Sequence, residues 1–394
     1  MRRQPVSGEP GRPPHFPLEP PWAAPLEQGT MATPILSPTI ASAVADTDAP
    51  GRVHRLSATP DTCYWGYIDA GQEPVLQVDS GDLVDIETIT HHAGDAPDLL
   101  MDDGVRAIWD GIPEDDRGPG VHVLTGPIEV RGAEPGDTLV VQIERLSPRL
   151  DHGSNCAAHW GLLYGQMGKE RITIYELTDV DDGGFGALAE PRFGFDFAER
   201  DLYDLPGVVT APGSTSREPF SAAVRVPVRP HFGVLGVAPD TPEKLSSIPP
   251  GRFGGNVDNW RFGAGATICY PVFEAGGMVY AGDPHFAQGD GEICGTAIEA
   301  SLNGRIRLSV AKDVSVTAPV LETVDAWHTH GFGDTLDEAM TMAAEQMMWL
   351  LTSRFGLTAD DAYSLCSVAV DFGVTQVVDG TLGCHGTVTK AVFA

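Results

Sequence analysis

Positive charge is scarce in this chain. Its 394 residues include 25 Lys or Arg against 55 Asp or Glu, a formal net charge of -30. Such a surface repels phosphate backbones and anionic lipid, which argues against nucleic acid or a membrane as partner. Long apolar runs are missing too. None reaches the 18 residues that a membrane-crossing helix needs. Paired cysteine motifs are equally absent. Cys63, Cys156, Cys269, Cys294, Cys366 and Cys384 form no C-x-x-C pair and no zinc-finger spacing. Scattered reduced thiols of a cytoplasmic enzyme are expected rather than disulfides. No fixed-period repeat is visible, which removes solenoids and propellers.

The first residues are rich in proline and polar side chains, as in GEPGRPP and PLEPPW. They carry no apolar core of a secretory signal, and Arg2-Arg3 lacks the apolar stretch of a twin-arginine signal. Residues 1–50 read as a disordered extension, with Met31 as an alternative start. A loop-like stretch, TAPGSTSREPF, follows at 210–220. It suggests a β-rich part over 51–215 and a β-rich, then α+β part over 216–394, sharing one cleft.

Glycine (46) and proline (32) are plentiful, and periodic helices are rare before residue 334. Short apolar runs between turn residues, among them Val75–Val78, Leu83–Thr88, Thr138–Ile143, Arg171–Glu176, Ala222–Val228 and Ile306–Val310, predict strands of a sandwich or barrel. One stretch stands apart. Leu336, Ala339, Met340, Ala343, Met347, Leu350 and Leu351 follow helical spacing, predicting a helix over about Thr335–Arg354 that Gly356 stops. Its methionines read as packing. A second helix should start at Thr358, with Asp361 completing a cap, and lead into a strand at Val374–Val378. Asp379-Gly380 then turns the chain back toward Gly386–Phe393.

Histidine and carboxylate crowd together in GDPHFAQGDGE, Gly282–Glu292. Asp283, His285, Gln288, Asp290 and Glu292 would converge if the glycines fold the backbone tightly. Imidazole with carboxylate suits zinc or a similar divalent ion, and a nearby carboxylate can shuttle a proton. The plain alternative is a polar turn. A second cluster, Gly254–Trp260, offers Asn256, Asp258 and Asn259 as amide donors and an oxygen ligand, or an Asx-turn. A third, Gly153–Trp160, contains Ser154, Cys156, His159 and Trp160. Here Cys156 reads as a buried small residue and His159-Trp160 as a cleft wall or core. His122, between turn residues, is a ligand candidate. His91-His92, followed by Asp95, Asp98, Asp102 and Asp103, offers a metal site or, as the favoured reading, a solvated loop, and His328 and His330 read as loop residues.

The segments HVLTGPIEVRGAEPGD (122–137), SNCAAHWGLLYG (154–165), PHFGVLGVAP (230–239), SSIPPGRFGGNVDNW (246–260), YPVFEAGG (270–277) and GDPHFAQGDGEICGTAIE (282–299) together resemble the acetamidase/formamidase family. The likeness runs from about Val53 to Phe393. It implies hydrolysis of short aliphatic amides to the acid and ammonia. It also implies a mainly β fold: a jelly-roll-like β-sandwich with a smaller α+β part and C-terminal helices, in a homodimer or higher homo-oligomer. A divalent metal, zinc by expectation, is implied near GDPHFAQGDGE. The expected roles are His122, Asp258 and His285 as metal ligands, and Glu292 and Asp283 as catalytic groups. Asn256, Asn259, Gln288, His159 and Trp160 are expected to hold the small amide. Two other readings stay open. One is an amidase using Cys156 or Ser154. The other is a non-catalytic calcium- or carbohydrate-binding sandwich, with Asp98, Asp102 and Asp103 as a second, calcium site.

Overall fold

The computed structural model describes residues 51–180, 186–197, 209–211, 213–312 and 314–393. The proline-rich extension and the alternative start at Met31 lie outside the described residues. Within them the chain is mainly β, a jelly-roll-like sandwich with helices near its C-terminal end.

Two large sheets form among the described residues. The first has nine strands in the order Val53–Leu56, Leu83–Thr88, Leu302–Ala311, Thr138–Pro148, Thr267–Pro271, Val320–Glu322, Ala326–Gly333, Leu382–Thr389 and Val370–Gln376. The second has eleven. Its path runs from Val226–Pro227 through Gly186–Phe197, Glu170–Val180, His152–Ala157 and Ile298–Glu299 to Val279–Ala287, His231–Gly236 and Gly254–Asn256. Val123–Val130 also pairs with Val279–Ala287 and brings Cys63–Trp65 and Leu76–Val78 into the same sheet. Each sheet therefore takes strands from both sides of residue 215.

One apolar core joins the sheets. Val84, Ile86, Leu139, Val141, Ile306 and Leu308 from the first pack with Leu124, Ile128, Phe232, Val234, Tyr280 and Phe286 from the second. Leu83–Thr88 shows why: it alternates buried and half-buried residues, turning one face to the core. Val279–Ala287 has no such alternation, because all nine residues are buried. The glycines and proline of Gly282–Glu292 predict a Gly-rich loop there. Instead, Gly282–Ala287 completes this central strand, flanked by strands on both edges, and only Gln288–Glu292 is loop.

The helices follow their local signals. The long one spans Leu336–Phe355. Thr335 Oγ1 accepts from Glu338 N at 3.2 Å while Thr335 N donates to Glu338 Oε2 at 3.0 Å, and Gly356 ends it in a left-handed conformation. The next helix, Ala359–Val368, is capped by Thr358. The strand after it starts earlier than expected, at Val370. The helix Asp103–Gly111 occupies the acidic run that could have formed a calcium loop. Asp102 caps it at Val105 N and pairs with Arg149, while Asp98 pairs with Arg217, so the acidic run is spent on a cap and two ion pairs. His328 and His330 are buried within Ala326–Gly333 rather than in a loop.

The long helix sits directly on that strand at Gly331, where a Cβ would run into the helix backbone at Ala339 O and Ala343 N. Gly331→Ala should therefore force the helix off the sheet. The expected cost is at or above the upper end of the ~1–3 kcal/mol typical of overpacking, read from the midpoint of a urea unfolding curve. An unchanged midpoint would show that the helix is not held this closely.

Candidate active site

The central strand Val279–Ala287 sets up the site. Asp283 and His285 are two residues apart and share a face. On the neighbouring strand His231 stands opposite His285, and on the other side Glu299 does. Gly233 lies between. A Cβ there would fall 2.5 Å from Asp283 Oδ2, 2.6 Å from His285 Cε1 and 2.7 Å from Asp258 Oδ1. Glycine at 233 is thus what leaves room for these three side chains to meet.

Turns deliver the remaining groups. His91 and His122 approach from a short 3-10 segment and from the start of a strand. A bridge between Gly291 and Gln376 ties the loop carrying Glu292 to the turn carrying Asp379. The Gln376 side chain accepts from Val378 N and Asp379 N and holds that turn. Asp258, Asp283 and Glu292 all have left-handed backbones, with φ of 50°, 47° and 46°. Such conformations cost roughly 1–3 kcal/mol each and persist only where the surroundings enforce them.

The distances are short. His285 Nε2 lies 3.1 Å from both Asp283 Oδ2 and Glu299 Oε2. His285 Nδ1 is 3.0 Å from His231 Nε2 and 3.9 Å from Asp258 Oδ1. Asp283 also faces His91 Nδ1 at 3.4 Å and His122 Nε2 at 3.7 Å. His122 Nδ1 is 3.1 Å from the Ser247 carbonyl oxygen, which can only accept. That contact places the proton on Nδ1 and turns a bare Nε2 lone pair toward a carboxylate. The arrangement is repulsive unless a cation lies between them. Asp258 Oδ1, Asp283 Oδ1 and His91 Nδ1 are buried and make no hydrogen bond with the described residues. Three sets, His91 with His122 and Asp283, Asp258 with His285 and Glu292, and Asp283 with His285 and Glu299, each hold ligand atoms within 4.8 Å of one another. The buried His, Asp and Glu groups can hold a metal ion.

Proton affinities diverge across the site. Burial and then the charge of Asp283 raise Asp258 to about 7. Burial raises Glu292 and Asp379 well above the carboxylate range, reinforced by Asp258 beside each. Burial also opposes ionisation of Asp283, but His285, 3.1 Å from its Oδ2, overcomes it and holds the carboxyl well below that range. Burial lowers His122 and takes His91 down to about 3, keeping both neutral. For His285 burial is outweighed by Glu299 and Asp283, which raise it well above an ordinary histidine.

These groups line a cavity of about 440 Å³. Of the residues expected at the site, His122, Asp258, Asp283, Glu292, Asn256, His159 and Trp160 line it. Three lie behind the wall. His285 is fully buried beneath Asp283. Gln288 donates to the Asp258 carbonyl at 2.6 Å and meets His231, while Asn259 meets His330 at 2.9 Å. Asp290 points away, to Arg261 and Trp260. His91 is a correction: far from solvated, it lines the cavity. Glu299 and Asp379 were missed, one as the end of a motif and the other as a turn former. Gly233 left no signal at all. Ser154 and Cys156 do not line the cavity; Ser154 donates to Asp95, and burial raises the Cys156 thiol well above its usual range.

The model of the Acetamidase/Formamidase family matches residues 72–246 and 242–391. An acetamidase of Mycolicibacterium smegmatis is 32% identical over 212 residues, 45% of this chain and 50% of that protein. A formamidase of Methylophilus methylotrophus is 30% identical over 242 residues, 49% of this chain and 52% of that protein. The chain thus spans about half the length of the curated relatives it matches. The crystal structure of a recombinant predicted acetamidase/formamidase from Thermoanaerobacter tengcongensis superposes with a TM-score of 0.66 at 22% identity. It covers 87% of this chain and 97% of that one, and so shares the fold.

Five of the six cysteines are buried, and only Cys294 is partly open. A thiol reagent should label Cys294 first in the native protein and the other five only on unfolding. Rapid native labelling of Cys156, read by peptide mass, would contradict this burial.

Proposed function

Because the chain belongs to the acetamidase/formamidase family, we propose that it hydrolyses short linear amides to a carboxylic acid and ammonia with the help of a divalent metal. The observation that carries the metal is the His91, His122 and Asp283 set, in which two neutral imidazoles face one carboxylate whose Oδ1 has no hydrogen bond from the described residues. Zinc suits two imidazoles and a carboxylate. His91, His122 and Asp283 would hold the ion, with His285 supporting Asp283 from below. This shifts Asp283 from the catalytic role expected of it, and His285 and Asp258 from ligands to neighbours. When bound, such an ion polarises a carbonyl and favours ionisation of water.

The chain's own groups then supply the proton traffic. Asp258, raised to about 7, crowds together with Glu292 and Asp379, both raised well above the carboxylate range, which suits a general acid and base. An ionised member of this trio takes a proton as the water oxygen bonds to the amide carbon. A protonated member, with Glu292 the first choice, gives a proton to nitrogen as the carbon–nitrogen bond breaks. Ammonia leaves, and the acyl carbon keeps the water oxygen and its remaining hydrogen as the hydroxyl of a carboxylic acid. Asn256 lines the cavity with its side-chain oxygen lacking a donor among the described residues, a fit for the amide –NH2. His159 and Trp160 are held by Glu170 and by the Gly295 carbonyl and would form a fixed wall. Six free cysteines suit a reducing cytoplasm. No helix among the described residues is long and apolar enough to cross a membrane. Exposed Leu162, Leu163 and Met167 suit burial in a homo-oligomer.

Chelation followed by desalting should abolish ammonia release from formamide and acetamide, and zinc should restore it. Full activity of metal-stripped protein would remove the metal from this reading. Glu292→Gln should keep metal content but lose roughly 10²–10⁴-fold in kcat. Cys156→Ala should stay active; its inactivity with metal retained would revive a cysteine mechanism. Gly233 needs no left-handed backbone, so Gly233→Ala should fold yet lose hydrolysis by displacing Asp283 and His285. Wild-type kcat/KM in that variant would show that the gap at 233 is dispensable.

A further inference from the structure

The same cavity says something about the acyl group, on the premise that the proposed hydrolysis holds. Its volume is about 440 Å³. At the ~30 Å³ that each molecule takes in liquid water, that is space for roughly fifteen waters. Acetamide has four non-hydrogen atoms, and with one attacking water it would fill about a third of that space.

The lining divides by burial. The carboxyl groups Asp258, Asp283, Glu292, Glu299 and Asp379 are buried and form the floor. Val121, Trp160, Ile248 and Pro249 are half-buried lining residues that form an apolar stretch of wall beside the equally half-buried His91, His159 and Ser246, with Val378 buried. The Trp160 ring is fixed, because its Nε1 donates to the Gly295 carbonyl at 2.8 Å. No Lys or Arg occurs among the described lining residues. A chain carbon against this wall gains burial, whereas a carboxylate on the chain would meet no cation there.

We propose that the preferred substrate is an uncharged primary amide whose acyl group is an apolar chain of about four to six carbons, lying along Trp160, Val121 and Ile248 with its amide at the carboxylate floor. Burying each added methylene contributes ~0.8 kcal/mol, about fourfold in kcat/KM.

The test is ammonia release by the full chain with zinc present, across formamide, acetamide, propanamide, butanamide and pentanamide, with the monoamide of glutaric acid as the charged match to pentanamide. kcat/KM is expected to rise about fourfold per methylene, some fiftyfold from acetamide to pentanamide. The glutaric monoamide should fall at least about tenfold below pentanamide. Trp160→Ala should flatten the rise to below about fivefold, while Trp160→Phe, which keeps a ring, should retain most of it. A decline beyond acetamide, or equal use of the charged monoamide, would overturn this inference and leave the hydrolase reading standing. Ammonia release from none of the amides would remove both.

Discussion

Five carboxyl groups share one buried space, and the rest of the molecule is organised around that burden. Asp258, Asp283, Glu292, Glu299 and Asp379 are each under 8% exposed. Taking an ionised carboxylate out of water costs several kcal/mol even after relaxation. Five neighbours cannot all stay charged without a counter-charge. The structure divides the load. Asp283 remains an anion among His91, His122 and His285, while Asp258, Glu292 and Asp379 retain protons. That split creates an anionic ligand beside a proton reservoir, the two ingredients of hydrolysis at neutral pH. It also requires the neighbours to be rigid, because an acid free to swing toward water would escape the perturbation.

The sandwich provides that rigidity. His231, Asp283, His285 and Glu299 stand on adjacent strands of one sheet, whose other face joins the common core. Their spacing is set by strand register rather than by loop closure. Three acids pay an additional cost in left-handed backbone, and each is clamped. Asp258 has its carbonyl held by Gln288, Asp283 lies within the paired central strand, and Glu292 follows the Gly291 bridge to Gln376. Both kinds of strain, electrostatic and conformational, fall on the same residues. That coincidence separates a site from an ordinary polar loop.

How much of this was legible in the sequence depends on the range of the interactions involved. The Thr335 and Thr358 caps were readable because a cap is decided within four residues. Strands such as Leu83–Thr88 were readable because one face is buried. The central strand was misread as a loop because glycine and proline suggest turns, and a strand buried on both faces loses the alternation that would correct the error. GDPHFAQGDGE was still found, since crowding of His and Asp survives a wrong secondary structure. Asp379 was not found as a site residue and His91 only as the lesser reading, because they reach Asp258 and Asp283 across more than a hundred residues of chain, while Glu299, near in sequence, meets His285 only through strand pairing. Gly233 is the limiting case. Its contribution is an absent side chain, and only the assembled register reveals what it leaves room for.

The groups behind the wall carry the argument one step further. His231 Nδ1 lies 2.6 Å from the Arg229 carbonyl oxygen, which can only accept, so that nitrogen holds a proton. His231 Nε2 lies 3.0 Å from both Gln288 Oε1 and His285 Nδ1. Gln288 Nε2 donates to the Asp258 carbonyl at 2.6 Å, so Gln288 Oε1 is an acceptor toward His231. His285 Nε2 lies 3.1 Å from Asp283 Oδ2 and Glu299 Oε2, so a proton on that nitrogen offsets one charge of the floor. Gln288 thus ties His231, and through it His285, to the peptide of an acid that lines the cavity. Gln288 and His285 therefore belong to the site even though neither faces the substrate space.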